Sequence, residues 1–278
     1  MICIVIPVHN RKEFTRSCIE SLLHQTLRVD YIIVVDDGST DGTDEMLQEY
    51  SEIIVLHGDG SLFWTASVNM GIKLALHMDA DYVMTLNNDT IATPDFIEKM
   101  MKSAEQNPLA ILGALDVDIK TKEPYYGGEI FDWRSGESKF LLKTLRKEDR
   151  KGLHEVSLFP GRGLLIPKIV FKTIGLFAEK QLPHYMADYD FTLLARRNGF
   201  PIFCNYDAVL YTYPEEGGDH KLRAKKTLKN YFKHLFNIRG GGNLRNFTVY
   251  ALRNCPQKDI AHALFSGYLR RVGGFWLN

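Results

Sequence analysis

The first 115 residues alternate short apolar runs with segments whose apolar positions recur at helical spacing. The apolar runs are rich in β-branched residues and predict strands at residues 2–7, 31–36, 53–56, 82–86 and 111–115. The helical spacing predicts helices at residues 13–25, 41–50, 66–77 and from the Thr93-Pro94 pair, as N-cap and first helical residue, to about residue 106. Strands that are apolar throughout and alternate with helices predict an α/β, Rossmann-like fold with a mainly parallel sheet flanked by helices.

After residue 115 the pattern loosens and the charge density rises. Residues 116–157 are typical of loops and short antiparallel strands. Two further helices are predicted at residues 168–174 and 188–198. Gly199 is expected to end the second of them.

A change of composition follows the Gly217-Gly218 pair, where the chain becomes basic and aromatic. We therefore predict one α/β domain over residues 1–218, with a ligand-binding half to about residue 115. A small basic, amphipathic helical region is predicted at residues 219–278.

Composition describes an ordinary globular protein, with 45% hydrophobic and 24% charged residues among 278. The formal net charge is zero, but residues 221–278 hold twelve Lys or Arg and a single acid, Asp259. The preceding residues are correspondingly acidic, so the two regions are expected to have different partners. We see no signal peptide or membrane-spanning run. The scattered cysteines predict free thiols in a reducing compartment, so a cytoplasmic location is expected.

Four polar clusters lie at or after the ends of predicted elements, at residues 7–10, 36–39, 87–90 and 188–190. Ligands of parallel sheets collect at the carboxyl ends of the strands, where the first three clusters are expected. Asp and Asn oxygens suit a hard cation such as Mg²⁺ or Mn²⁺. Each cluster also has a purely structural explanation. Asp, Asn, Gly and Ser form turns, and acids at a helix start act as caps.

In this order, the four clusters resemble the motifs of the family 2 glycosyltransferases, whose fold is called GT-A. The matching stretches are IVIPVHN at residues 4–10, VVDDGSTD at 34–41, NND at 87–89 and DYDF at 188–191. The resemblance covers roughly residues 1–213. It implies transfer of a sugar, with inversion, from a nucleotide-diphosphate donor to an acceptor hydroxyl. UDP and dTDP are the favoured carriers, and bacterial surface polysaccharide assembly is the implied setting.

The resemblance assigns roles to the nucleotide side of the site. Asp37 is similar to the carboxylate that binds the base, with Pro7, Val8 and Asn10 in the same nucleotide-binding pocket.

For the metal and the chemistry, Asp89 is similar to the final acid of the metal motif, with Asn87 and His220 as weaker ligands of Mg²⁺ or Mn²⁺. Asp188 resembles the general base that takes the proton of the acceptor hydroxyl, and Asp190 a supporting acid that serves as its fallback. Because a helix N-terminus stabilises a carboxylate, Asp188 is expected to be ionised at neutral pH.

Four residues are assigned to the sugar or acceptor pocket by the same resemblance, namely Trp64, Asn69, Arg162 and Gly163. Helix packing explains Trp64 equally well, and a surface charge is a slightly better explanation of Arg162.

Two departures from the family pattern keep other functions open. Asn87 and Asn88 stand where many members carry acids, and Ala187 replaces the acid that usually precedes the base. A degenerate member that binds nucleotide without catalysis is one alternative. A sugar nucleotidyltransferase is a weaker one, because the loop after the first strand lacks the glycines of that class.

Basic and aromatic residues are interleaved in the tail, as in Lys229, Tyr231, Phe232, Lys233 and Phe236. Such a helix suits an anionic membrane surface, where the protein would reach a lipid-linked glycan acceptor. Peripheral attachment to the inner face of the plasma membrane is therefore favoured slightly. The alternative is a helical extension that packs on the α/β domain or on a second subunit. No nucleic-acid recognition motif is present, so no nucleic acid is expected.

Overall fold

The computed structural model describes residues 1–216 and 223–277. Its strands are β1 (Ile2–Val8), β2 (Tyr31–Asp36), β3 (Ile53–His57), β4 (Tyr82–Thr85), β5 (Thr90–Ala92), β6 (Ile111–Asp118), β7 (Pro124–Tyr126), β8 (Glu129–Asp132), β9 (Glu137–Phe140), β10 (Leu153–Glu155), β11 (Leu164–Pro167) and β12 (Ile202–Thr212). Its helices are α1 (Lys12–Leu23), α2 (Thr43–Leu47), α3 (Phe63–His77), α4 (Phe96–Gln106), α5 (Lys168–Ile174), α6 (Ala187–Arg197), α7 (Leu228–Phe236), α8 (Leu244–Asn254) and α9 (Ile260–Leu277). Short 3-10 turns link several of them.

The main sheet has the strand order β10-β12-β6-β11-β4-β1-β2-β3, with β5 beside β12 and β7 beside β6. Strands β3, β2, β1 and β4 are parallel to one another, so their carboxyl ends meet at one edge. The sheet is buried on both faces, because Val5 belongs to one apolar cluster with Val68 of α3, whereas Ile4 belongs to another with Ile19 and Phe96. The predicted α/β class with a helix-flanked sheet is confirmed.

One strand in the centre of the sheet runs against its neighbours. β11 pairs antiparallel with both β4 and β6, and it was not among the predicted strands. Gly163 precedes it in the left-handed region, with φ +69°, and a Cβ there would lie 2.3 Å from Leu210. This reversal brings the segment before β11 to the carboxyl end of β4.

Helix boundaries differ most from the sequence prediction in α2, α3 and α4, and α3 begins at Phe63, three residues before the predicted start. α2 covers only Thr43–Leu47, within the predicted 41–50. The predicted N-cap at Thr93 is wrong: α4 begins at Phe96, and the Thr93 hydroxyl lies 3.1 Å from an Asp95 carboxylate oxygen instead of capping the helix. Helices α2 and α4 are therefore a few residues shorter than predicted.

The basic C-terminal helices are amphipathic and pack against the α/β domain. Leu235 of α7 and Phe275 of α9 are buried, whereas Phe232, Phe236 and Phe265 are exposed. None of the helices that the structure describes has the length and apolarity needed to cross a bilayer. The predicted boundary at residue 218, and the candidate ligand His220, lie outside the described residues.

Candidate active site

A cavity of about 680 Å³ opens where the carboxyl ends of β1, β2 and β4 meet the segment before β11 and the start of α6. Most of the predicted site residues line it, namely Pro7, Val8, Asp37, Trp64, Asn87, Asp89, Arg162 and Asp188. The structure thus brings together residues from four separate motifs.

Asp37 organises one wall of this cavity. Its carboxylate accepts hydrogen bonds from the backbone N–H groups of Gly60 (2.8 Å), Leu62 (3.3 Å) and Phe63 (3.1 Å), at the loop that leads into α3. Its own N–H donates to the carbonyl oxygen of Val8 (2.8 Å). A carboxylate has about four lone-pair sites, so capacity remains for a ligand N–H.

Asn10 supports this wall from outside the cavity lining. Its side-chain oxygen accepts the N–H of Thr40 (2.9 Å), and its own N–H donates to Ser39 (2.7 Å). Both Asn10 and Arg11 lie in the left-handed region, with φ of 61° and 69°. This uncommon conformation turns the Arg11 side chain towards the cavity.

Asp89 has one oxygen paired and one free. Arg11 donates to its Oδ2 (2.9 Å) and to Oε2 of Glu216 (3.3 Å), so this arginine joins two loops. Oδ1 of Asp89 is buried and has no hydrogen-bond partner among the described residues. A buried carboxylate oxygen of this kind is available to an ion.

The two asparagines of the same motif are engaged elsewhere. The indole N–H of Trp64 donates to Oδ1 of Asn87 (3.0 Å), and Asn88 donates to the hydroxyl of Thr15 (2.9 Å). The described residues therefore fit a divalent metal held by Asp89 Oδ1 and mainly by ligand phosphates, as Mg²⁺ often is. Trp64 combines both predicted roles, since it lines the cavity and packs edge-on against Phe177.

A second group of potential metal ligands lies outside the cavity, at the ends of β2 and β3. It comprises Asp36, Asp44 and His57, whose ligand atoms lie within 4.8 Å of one another. Asp36 Oδ1 already accepts the N–H of Ser39 (3.1 Å), and His57 is largely exposed. No pattern in the sequence predicts this group.

Asp188 lies in the first turn of α6 and faces the cavity. Its Oδ2 accepts the N–H of Gly161 (3.0 Å) and its Oδ1 the N–H of Tyr189 (2.9 Å). Burial raises the pKa of Asp188 above its ordinary value, and these amides offset the effect only in part. The amide donors at the helix N-terminus therefore do not outweigh burial in setting the pKa of Asp188.

The neighbours of Asp188 face away from the cavity. Ala187 is fully buried in the core, so an acid at this position would be costly. Asp190 is also buried and binds Arg253 Nε (2.8 Å) and Asn254 Nδ2 (2.7 Å) of α8. The structure thus gives Asp190 a role in joining α6 to α8, away from the position of a fallback base.

Arg162 is part of a buried ion pair. Its guanidinium binds the carboxylate of the fully buried Asp116, with Nε at 2.9 Å from Oδ2. Burial raises the pKa of Asp116 to about 6, although Arg162 opposes the shift. Arg162 therefore is not the simple surface charge that the sequence favoured.

Two of the predicted pocket residues do not reach the cavity. Asn69 is 1% exposed, and its amide donates to the carbonyl of Phe177 (2.9 Å) and to Glu179 (2.7 Å). Gly163 packs against β12, whereas Gly161 approaches Trp64 so closely that a Cβ would lie 2.3 Å from the indole ring.

Several residues that line the cavity lie outside the set predicted from the sequence. Arg239, from the loop after α7, lies with its guanidinium 5.5 Å from the ring centroid of Phe63. His184 is half-buried, and its partial burial followed by the charge of Arg239 lowers its pKa to about 4. The motif pattern could have indicated Arg11, which directly follows IVIPVHN, but no sequence signal places Arg239 here. The other lining residues outside the predicted set include His9, Tyr125, Tyr185 and Glu216.

Comparisons with known proteins agree with this geometry. The sequence model of Glycosyl transferase family 2 matches residues 3–174. An uncharacterized glycosyltransferase of Rickettsia typhi is 34% identical over 197 residues, which cover 68% of this chain and 57% of that protein. GlyG of Streptococcus pneumoniae, a glycosyltransferase, is 24% identical over 73% of this chain and 78% of its own length. The chain therefore spans little more than half the length of the Rickettsia relative.

A solved structure shows the same fold. Residues 1–349 of Staphylococcus aureus TarS, crystallised with UDP, superpose with a TM-score of 0.61 at 14% identity, covering 99% of this chain and 90% of that one.

Proposed function

Because this chain belongs to glycosyltransferase family 2, we propose that it transfers a hexosyl group from a nucleoside-diphosphate donor to an acceptor hydroxyl with inversion. The observation that carries the proposal is the shared cavity of Asp37, Asp89 and Asp188, which come from three distant motifs. We propose UDP or dTDP as the carrier, and the similarity in fold to a protein crystallised with UDP supports a pyrimidine diphosphate. Asp37, with Pro7 and Val8, would hold the base.

Asp188 would act as the general base. The acceptor oxygen forms a bond to the anomeric carbon while the bond from that carbon to the diphosphate oxygen breaks on the opposite face. The hydroxyl proton passes to the carboxylate of Asp188, which the N–H groups of Gly161 and Tyr189 hold in place. A raised pKa makes this carboxylate a stronger base than an exposed aspartate.

The departing diphosphate would be stabilised by cations that already line the cavity, Arg11, Arg162 and Arg239. Fixed charges in a partly enclosed site require little reorganisation during the reaction. A divalent ion at Asp89 Oδ1 would supply further positive charge to the phosphates when bound.

We further propose that the acceptor is a glycan or lipid-linked glycan and that the C-terminal helices contact an anionic membrane. On α7, Leu228, Phe232 and Phe236 are exposed at every fourth residue, so they form one apolar stripe. Lys229 and Lys233 lie beside the stripe on the same helix. Tyr231 of α7 contacts Trp276 of α9, with ring centroids 5.3 Å apart. An apolar stripe flanked by lysines, such as this one on α7, suits the headgroup region of a membrane.

The test of the chemistry is Asp188→Asn. Transfer from UDP- and dTDP-sugars to glycan acceptors should fall by at least about a hundredfold, the contribution typical of a general base. Nucleotide binding, measured by calorimetry, should stay close to that of the unaltered chain. Unchanged turnover in Asp188→Asn would contradict the base assignment. Nucleotide binding without turnover by the unaltered chain, across donors and acceptors, would instead favour a degenerate member.

A further inference from the structure

A second cavity, of about 250 Å³, lies between the β8–β9 hairpin and helices α6, α8 and α9. Its walls are largely aromatic. The Trp133 ring lies 5.4 Å from that of Tyr250, with the planes tilted by 36°, and Phe131 meets Trp133 edge-on at 4.8 Å. Aromatic faces carry partial negative charge, so they attract polarised C–H groups such as those of a sugar ring.

Two adjacent arginines of α9 reach the same cavity. Arg271 lies with its guanidinium 3.6 Å from the ring centroid of Phe247, and its Nη1 donates to the carbonyl of Gly267 (3.2 Å). Its Nε is buried and has no hydrogen-bond partner among the described residues. Burial, together with Arg270, lowers the pKa of Arg271 to about 10, so it stays charged at neutral pH.

Within residues 1–216 and 223–277, neither Arg270 nor Arg271 forms an ion pair with a carboxylate, although Glu129 lines the same cavity. The carboxylate of Glu129 is instead bound by the hydroxyls of Tyr126 (3.2 Å) and Tyr189. A half-buried cation whose Nε is buried and has no carboxylate partner leaves its charge uncompensated, so an anionic ligand is the natural complement of Arg271.

The position of this cavity links it to the first one. Asp188 faces the first cavity, whereas the next residue, Tyr189, lines the second. Both cavities therefore adjoin the first turn of α6.

We propose that the second cavity binds an anionic sugar residue of the acceptor. Its carboxylate or phosphate would lie against Arg271, its ring against Trp133 and Tyr250, and a sugar hydroxyl would donate to Glu129. This inference deepens the proposed function and rests on it, because it names the acceptor as an acidic or phosphorylated glycan.

The test measures binding without requiring transfer. Glucuronate, glucose 6-phosphate and glucose are titrated into the full chain by calorimetry, with saturating UDP present to occupy the first cavity. Glucuronate or glucose 6-phosphate should bind saturably and glucose at least about tenfold more weakly, as expected for loss of a charge-assisted hydrogen bond. The two anionic probes distinguish a sugar acid from a sugar phosphate.

Two variants locate the binding. Arg271→Gln should weaken the anionic sugar at least about tenfold. Ser138→Trp, which fills the cavity and keeps both arginines, should abolish binding. The matched control is Arg28→Gln, an exposed arginine in the loop between α1 and β2, which should bind as the unaltered chain does. Thermal denaturation of each variant checks that it is folded.

Equal binding of glucose, or binding retained in a folded Arg271→Gln or Ser138→Trp chain, would overturn the proposal. Hydrolysis of nucleotide sugar by the unaltered chain reports the proposed function separately. A chain that hydrolyses donor but binds none of the anionic probes would refute this inference alone.

Discussion

At the scale of residues, the cavity owes its properties to carboxylates in different surroundings. Asp37 receives three backbone N–H groups, Asp89 keeps one oxygen free beside Arg11, and Asp188 is half-buried with two amide donors. These surroundings favour three separate tasks, namely organising the nucleotide wall, holding an ion and accepting a proton.

The raised pKa of Asp188 gives a prediction about pH. Protonation disables a general base, so the transfer rate at saturating donor should fall towards acid with a midpoint above the ordinary aspartate value of about 3.9. A rate profile from pH 4 to 9 measures it. Because the pKa of Asp116 is about 6, Asp116→Asn is the control, and it should leave the acid limb in place. A midpoint at or below about 3.9 would contradict the burial argument.

The same shift has a consequence for stability. The folded-state pKa of Asp188 lies above the unfolded value, so the folded chain binds this proton more tightly. The contribution of Asp188 to stability is therefore largest below the unfolded pKa and declines as the pH rises through the folded pKa. At neutral pH the chain retains the half-buried carboxylate of Asp188 at some cost in stability.

At the scale of elements, α6 is the helix that connects the cavity to the C-terminal region. Its first turn places Asp188 at the cavity, while Asp190 binds Arg253 and Asn254 of α8. The position of α8 therefore depends on a buried charge two residues from the proposed base.

This junction gives a prediction about stability without loss of chemistry. Arg253→Met should lower the free energy of unfolding by about 2 kcal/mol, because it leaves the buried Asp190 with one neutral donor. The loss is moderate because Arg253 itself is partly exposed to solvent. Arg245→Met, on an exposed position of the same helix, should change it by less than about 0.5 kcal/mol. Urea denaturation of both variants provides the measurement.

Asp190→Asn extends the test to function. Its turnover per folded molecule should remain within about threefold of the unaltered chain, since Asp190 lies outside the cavity lining. A loss as large as that expected for Asp188→Asn would restore Asp190 as a catalytic acid.

At the scale of the whole molecule, the exposed apolar stripe of α7 and the exposed Phe265, Leu269 and Trp276 of α9 lie on helices that also bury Leu235 and Phe275. The same C-terminal region supplies Arg239 to the cavity. The loop that carries Arg239 therefore directly follows the helix that we propose to contact a membrane.

Vesicle sedimentation tests the membrane proposal. The chain should bind vesicles that contain phosphatidylglycerol more tightly than vesicles of phosphatidylcholine alone, because each lysine near the surface contributes about 1 kcal/mol. Replacing Phe232 and Phe236 with serine should weaken binding at least about tenfold, given the apolar area that two phenylalanines bury. Leu109→Ser, an exposed apolar residue after α4, is the control. Unchanged binding in the double variant, or a dimer that buries the stripe, would argue against membrane contact.

The sequence by itself determined the α/β class, the places of five of the twelve strands that the structure describes, and the four motifs, because these depend on local patterns of apolar and polar residues. It also indicated Asp37, Asp89 and Asp188 as site residues, since each lies within a recognisable motif. Only the tertiary structure decided which side chains face the cavity. Asp190 and Asn69 look equally suitable in the sequence, yet each binds a segment far away along the chain, α8 and the Phe177–Glu179 loop. Long-range packing, which no local pattern encodes, likewise decides that Arg239 lies at the cavity, that β11 runs against its neighbours and that Arg162 pairs with Asp116.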